Sequence, residues 1–223
     1  MTTAGDGDLR AIDPELNYDR WYARGGFPHD PARHRRALRQ FVIDPLKLKP
    51  PATVIDLGCG MGLHTRLWNE RGFECTGVDA SAVGIKQAQQ RHPRCRFLRA
   101  DAADLSDHFA PASLDVIFAR GMSWWHYELN CVNRRGVDVP QRTRELFEFL
   151  RQDGLFILQI KTDFSGRQDR QSSVLHNRRE EYFRLFAPLG QIVLATDWRG
   201  RPVRTDAQAA KSRNNIIIAT RKE

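Results

Sequence analysis

Val54-Ile55-Asp56-Leu57-Gly58-Cys59-Gly60-Met61-Gly62 is the stretch on which the fold of this chain turns. Val54, Ile55 and Leu57 make a short apolar, β-prone run with turn residues directly behind it, the pattern of a buried strand. Gly58, Gly60 and Gly62 alternate, and a backbone without Cβ atoms turns tightly and comes close to a ligand. Leu63, Leu67 and Trp68 then share one helical face, and Gly72 stands where a helix stops. Strand, glycine loop and helix form the first unit of a nucleotide-binding α/β domain. The spacing is G-x-G-x-G, one residue short of the dinucleotide fingerprint, which argues against a nicotinamide dehydrogenase.

Two more strands end in carboxylates. Cys75–Asp79 closes on an acid 23 residues after Asp56, the place where ribose hydroxyls are received in nucleotide-binding units. The other role open to Asp79 is a helix cap, but Ser81 is better placed to cap the helix over 82–91. Arg96–Ala100 reads as the third strand, and Asp101 follows it, with a short helix around Ala103 to Leu105 that it also suits as a cap.

Three acids closing three successive strands beside this glycine loop resemble the class I S-adenosylmethionine-dependent methyltransferases over residues 50–160. The resemblance implies S-adenosyl-L-methionine as cofactor, with Asp56, Gly58, Cys59, Gly60 and Gly62 around its amino-acid end. It places Asp79 and Ala80 at the ribose, Asp101 at the adenine amino group, the Ala102 amide against the ring, and Ala119 in the same cofactor set. It also implies a Rossmann-like, seven-stranded, mostly parallel α/β sheet with a terminal antiparallel hairpin and helices on both faces. Residues 31–223 form this domain and 1–30 a lead-in. Tyr18-Asp19-Arg20-Trp21-Tyr22 reads either as a short helix packed on the domain or as an aromatic lid that brings Tyr22 over the cofactor.

The remaining elements follow from local signals. Asp30-Pro31 opens a helix with Leu38, Phe41 and Val42 inward and Arg33, Arg35, Arg36 and Arg39 outward, and Pro45, Pro50 and Pro51 lead to the first strand. Pro140 opens another, with Thr143, Leu146 and Leu150 on one face and Gly154 at its end. Leu155–Ile160 is a buried fifth strand. Asn177 and Glu180 suggest a capping box for a helix through Phe186. Ile192–Ala195 and Ile216–Thr220 are the last strands, with no helix expected between them.

The acceptor side rests on Leu114–Phe118 and the segment behind it, Ala119 to His126. That segment has neither the Asn-Pro-Pro-Tyr tetrapeptide of enzymes that hold a flipped base nor a Pro-Cys nucleophile. Trp124 and Trp125 wall a substrate pocket, with packing beneath the loop the alternative for one of them. His126 is a candidate general base, and Arg120 a partner for the cofactor carboxylate or an anionic substrate. The connection 121–138 is long enough to suggest function, and 162–176 reads as polar and irregular. Arg199, Arg201, Arg204, Lys211 and Arg213 outnumber Asp197 and Asp206 on another long connection, pointing to an acidic acceptor.

Bulk properties agree with one such domain. The chain has 223 residues, 41% of them hydrophobic, and a formal charge of +8, which favours acidic partners. No run nears the ~18 apolar residues of a membrane span, and the first residues lack a signal-peptide pattern. Cys59, Cys75, Cys95 and Cys131 form no C-x-x-C pair, so reduced thiols in the cytoplasm and no metal site are expected. The leading expectation is a methyltransferase for an O or N nucleophile of a small molecule, monomeric or homodimeric. An RNA or protein methyltransferase and a non-catalytic cofactor-binding scaffold are the alternatives. Nucleic acid is the less favoured partner because no aromatic-basic platform is present.

Overall fold

The computed structural model describes residues 14–26, 29–129, 137–166, 176–212 and 215–223. In chain order the first elements are α1 (Pro14–Ala23), α2 (Pro31–Leu38) and α3 (Asp44–Leu46), the last two joined by a π-helical turn, Arg39–Ile43. Then come β1 (Thr53–Leu57), α4 (Leu63–Asn69), β2 (Glu74–Asp79), α5 (Ala82–Arg91), β3 (Arg96–Arg99) and β4 (Leu114–Arg120). The chain continues through α6 (Val139–Phe149), β5 (Leu150–Ile160), α7 (Arg179–Phe186), β6 (Gly190–Asp197), α8 (Asp206–Ala210) and β7 (Ile216–Lys222).

The strands form one seven-stranded sheet in the order β3-β2-β1-β4-β5-β7-β6. β7 runs antiparallel to both neighbours, and the other pairs are parallel. Because successive side chains point to opposite faces, the apolar run of β1 serves two cores. Ile55 and Leu57 join Ile117, Phe156 and Leu158 with Leu146, Phe147 and Phe186 from α6 and α7. Val54 joins Val116, Phe118 and Ile157 with Leu38 from α2 and Leu67 and Trp68 from α4. A sheet covered on both faces explains why these strands read as continuous apolar runs.

Several local expectations need correction. A short helix, α8, does lie between β6 and β7; its five residues, DAQAA, carry too little periodicity to announce it. Only half of the expected capping box forms, and it sits one residue later. Glu181, not Glu180, reaches back to the Arg178 amide, while Asn177 is buried and donates to the Trp125 carbonyl at 3.2 Å. α6 stops at Phe149, so Leu150 belongs to β5, and the register breaks between the Leu150 and Leu155 pairings. Pro45 is inside α3. The connection 121–138 contains a π-helical turn, Trp124–Glu128. Cys131, Arg167, Asp169, Arg170 and Arg213 lie outside the described residues.

Candidate active site

The carboxyl ends of β1, β2 and β4 open into a cleft of about 1920 Å³, roofed by α1 and α2. Its first half is built on the glycine loop. The Gly58 and Cys59 amides both donate to the Val78 carbonyl, at 2.8 and 3.0 Å. The Gly60 amide donates to Asp79 Oδ2 at 2.8 Å, and the Ser81 amide to Asp79 Oδ1 at 2.8 Å. Asp79 therefore joins the loop to the start of α5, which Ser81 caps by accepting from the Gly84 amide. Burial raises the Asp79 carboxyl above its usual range, and the two amide donors oppose the rise.

Glycine is required at two points of this loop. Gly60 has φ +54°, and a Cβ there would stand 2.8 Å from the Tyr22 hydroxyl oxygen. Gly62 has φ +80°, and a Cβ there would stand 2.6 Å from the Phe97 ring. Both are left-handed conformations that side chains other than glycine adopt at a cost. The space held open at Gly60 is at the cleft. That at Gly62 lies behind it, where α4 begins.

Asp56, Gly58, Cys59, Gly60, Asp79, Ala80, Asp101, Ala102 and Tyr22 all line the cleft. Asp56 is buried and accepts from Thr65 Oγ1 at 2.7 Å; burial, partly offset by that bond, pushes its carboxyl up to about 6. Asp101 is exposed and accepts from the Ala103 amide at 2.8 Å. The 3-10 turn that follows is Leu105–Asp107, later than the expected short helix. Gly62 and Ala119 do not line the cleft. Ala119 is wholly buried between Leu57 and Leu158, because the alternation of β4 turns it into the core.

The aromatic stretch lies in the short helix α1, which packs on the domain, and Tyr22 lines the cleft. α1 packs on α5 through Asp19, which accepts from Ser81 Oγ and from the Val83 amide, and through Gln87 Nε2, which donates to the Tyr22 carbonyl at 2.8 Å. The Tyr22 ring is buried against Gly60 and Gly84, and Trp21 is exposed.

The second half of the cleft is cationic and rich in imidazole. Arg120 ends β4, two residues beyond Phe118, on the sheet face that α2 and α4 cover. Its Nε is shielded from solvent with no hydrogen-bond partner among the described residues. His126, Trp124 and Lys161 line the same half. Burial, then Arg120 and Lys161, push the His126 imidazole down to about 4, so it is neutral at pH 7. Trp125 does not wall the pocket. It is wholly buried, donates from Nε1 to Thr143 Oγ1 at 3.3 Å and meets the Phe156 ring edge-on at 5.4 Å.

Sequence reasoning missed His29, His34, His64 and Trp198, all at this half of the cleft. His34 sits among the arginines of α2, and His64 directly follows the glycine loop. Nothing in their spacing says that they meet. The basic rim is thinner than expected. Arg199 lines the cleft, but Arg201 turns back to Asp197, with Nε 2.7 Å from Oδ2. Among the described residues, no group of three or more His, Cys, Asp or Glu side chains is placed to hold a metal ion.

A family model described as a methyltransferase domain matches residues 54–154, which span the glycine loop and the three acids. Over these residues the chain is similar to S-adenosylmethionine-dependent methyltransferases. A trans-aconitate 2-methyltransferase from Escherichia coli is 41% identical over 98 residues, covering 40% of this chain and 38% of that protein. A malonyl-[acyl-carrier protein] O-methyltransferase from Pseudescherichia vulneris is 30% identical over 98 residues, covering 44% and 38%. The chain thus spans well under half the length of these two relatives. In fold it is similar to an S-adenosylmethionine-dependent methyltransferase from Leishmania major, with a TM-score of 0.66 over 97% of this chain and 87% of that one at 16% identity.

The residues present fit the cofactor of this methyltransferase family. Asp56, Asp79 and Asp101 line the cleft beside the glycine loop, the loop amides and carboxylates suit a nucleoside with a zwitterionic end, and the cleft exceeds the roughly 300–1,000 Å³ of ordinary ligand pockets. No helix among the described residues is long and apolar enough to cross a membrane.

Proposed function

We propose that this protein methylates a small, anionic acceptor, with an oxygen or nitrogen of that acceptor as the nucleophile. The bound cofactor supplies a methyl group on a sulfonium sulfur, which leaves as a neutral thioether and needs no acid. Asp79, Asp101 and Tyr22 hold the nucleoside, and Asp56 with the loop from Gly58 to Gly60 holds the amino-acid end. Trp124 walls the acceptor pocket. The protein's main contribution is alignment in a shielded site.

The observation that carries the anionic part is Arg120. Its shielded Nε makes no hydrogen bond among the described residues and Asp56 is the carboxylate that interacts with its charge; an N–H left unpaired out of water is costly, and an anionic ligand relieves that cost. His126 is neutral at pH 7 and holds a proton weakly, its pKa having been pushed down to about 4. General bases work best with a pKa near the working pH. His126 therefore suits an acceptor that arrives already deprotonated better than one whose proton must be removed. The names of the two relatives carry acidic acceptors, which supports the same reading. The sequence surplus of base over acid supports it more weakly. Cys59, Cys75 and Cys95 are free thiols, in keeping with a reducing compartment such as the cytoplasm.

The test is a panel of paired acceptors, each acid set against its amide, with formation of S-adenosylhomocysteine as the readout. Turnover is expected with acids and not with amides. Equal rates across the pairs would remove the anionic acceptor.

A further inference from the structure

His34 and His64 come from different helices and meet across the second half of the cleft. His34 Nδ1 lies 3.1 Å from His64 Nε2, with the rings edge to face at 5.0 Å. Both side chains are more than nine-tenths buried, at 8% and 7% exposure, and both line the cleft. The remaining nitrogens, His34 Nε2 and His64 Nδ1, have no hydrogen-bond partner among the described residues. Phe118 packs on His64, and Trp198 and the His29 imidazole pack on His34, so neighbouring rings fix the pair. The cleft wall beside it carries Arg120 and Gln159.

The hydrogen-bond arithmetic of two neutral imidazoles is restrictive. Each ring has one N–H and one bare nitrogen, and the shared contact consumes one of each. If His64 Nε2 donates inward, His34 Nε2 carries the outer N–H and His64 Nδ1 the outer lone pair. If His34 Nδ1 donates inward, the assignment reverses. Either way the pair offers the cleft one donor and one acceptor, and a ligand at one end sets the tautomer at the other. Burial, followed by the charge of Arg120, holds His34 down to about 4 and His64 well below its ordinary value, so this neutral arrangement holds at pH 7.

We propose that Arg120 and the coupled His34–His64 pair form a carboxylate-binding subsite, with the guanidinium meeting the charge and the pair supplying one N–H. This rests on the reading of the cleft as a methyltransferase site, and it identifies the chemical group that the site recognises. The carboxylate belongs either to the acceptor or to the amino-acid end of the cofactor. In both cases α2, which lies outside the matched residues 54–154, contributes a ligand-contacting side chain.

Calorimetry on the full chain separates the sources. Methylthioadenosine, which lacks the amino-acid end, reports the nucleoside site alone. S-adenosylhomocysteine adds the cofactor carboxylate, and malonate against malonamide, titrated into protein saturated with S-adenosylhomocysteine, adds the acceptor arm. Arg120→Met and His34→Phe are expected to bind methylthioadenosine within about twofold of wild type and to lose about tenfold or more for the carboxylate ligand, the usual scale for a hydrogen bond to a charged group. Loss for malonate alone assigns the subsite to the acceptor, and loss for S-adenosylhomocysteine assigns it to the cofactor. Retention of both affinities in both variants overturns the proposal.

Should a variant lose methylthioadenosine through misfolding, ¹⁵N imidazole spectra of the wild type decide the matter. A single tautomer set appearing with malonate or S-adenosylhomocysteine supports the subsite, and unchanged spectra with both overturn it. Wild-type protein that binds no adenosyl ligand sinks the methyltransferase reading instead, a failure distinct from these.

Discussion

The two halves of the cleft are assembled in opposite ways. The half at β1, β2 and β3 takes its parts from the ends of successive strands: Gly58 to Gly60, Asp79 and Asp101. Its key contacts are short in sequence, with Asp79 binding the amides of Gly60 and Ser81. The half at β4 takes His34 from α2, His64 from α4, Arg120 from β4 and Trp198 from beyond β6. One half is acidic and bonded to its own backbone, whereas the other sets cations, Arg120 and Lys161, among neutral rings. On the proposed function, the fold carries its nucleoside site on local geometry and leaves acceptor choice to residues that only tertiary structure unites.

The largest expected effect separates wall from foundation within the second half. Trp125→Ala removes a wholly buried indole and its bond to Thr143, and should cost about 3–5 kcal/mol of stability in denaturant titration. Trp124 is also buried, at 8% exposure, but borders the cleft, so Trp124→Ala should raise the acceptor KM as well as lower stability, whereas Trp125→Ala should act on stability alone. An unchanged KM in Trp124→Ala would erase the distinction between them.

Next in size is Asp79→Ala, which strips the partner from two amides and opens the loop. S-adenosylhomocysteine should bind about 10- to 100-fold more weakly by calorimetry, equivalent to about 1.4–2.7 kcal/mol. Unchanged affinity would show that the first half is not organised around this carboxylate.

Acidification probes the halves in opposite directions. His29, His34 and His126 are held down to about 4 by burial, below the 6.5 of an unfolded imidazole. Between those values the unfolded chain binds more protons, so stability falls as pH drops from about 6.5 toward 4. Asp56, pushed up to about 6, acts the other way: the folded chain binds its proton first, so it contributes stability as pH falls from about 6 toward 3.8. With several imidazoles against one strongly raised carboxyl, Tm should decline between pH 7 and 5. A flat or rising Tm in that window would contradict the neutral imidazole half.

The smallest effect is expected at Asp101. Its side chain is exposed and bonds only the nearby Ala103 amide among the described contacts. Asp101→Asn should change stability by less than about 1 kcal/mol, as exposed substitutions usually do, and weaken S-adenosylhomocysteine by only a few-fold.

The same contrast governs what could be read before the structure. The sheet was legible because its strands are apolar runs closed by acids, and Ser81 was legible as a cap because capping is a rule about neighbours. Ala119 has its side chain in the core, because proximity in sequence to a cleft says nothing about which face of a strand a side chain takes. α8 was too short to leave a period, and the Asn177 signal was one residue from the true cap because Asn177 was needed inside, beneath Trp125. His34 was missed among the arginines of α2, since its partner His64 is 30 residues away.

Asp79 has a consequence for how ligand entry proceeds. Both of its oxygens already hold amides, so the direction of their remaining lone pairs is set before any ligand arrives. A loop anchored in this way has little shape left to lose on association. Order parameters measured at Gly60 and Ser81 should therefore be nearly the same before and after nucleoside is added, with the rigidity built in during folding instead of induced by the guest.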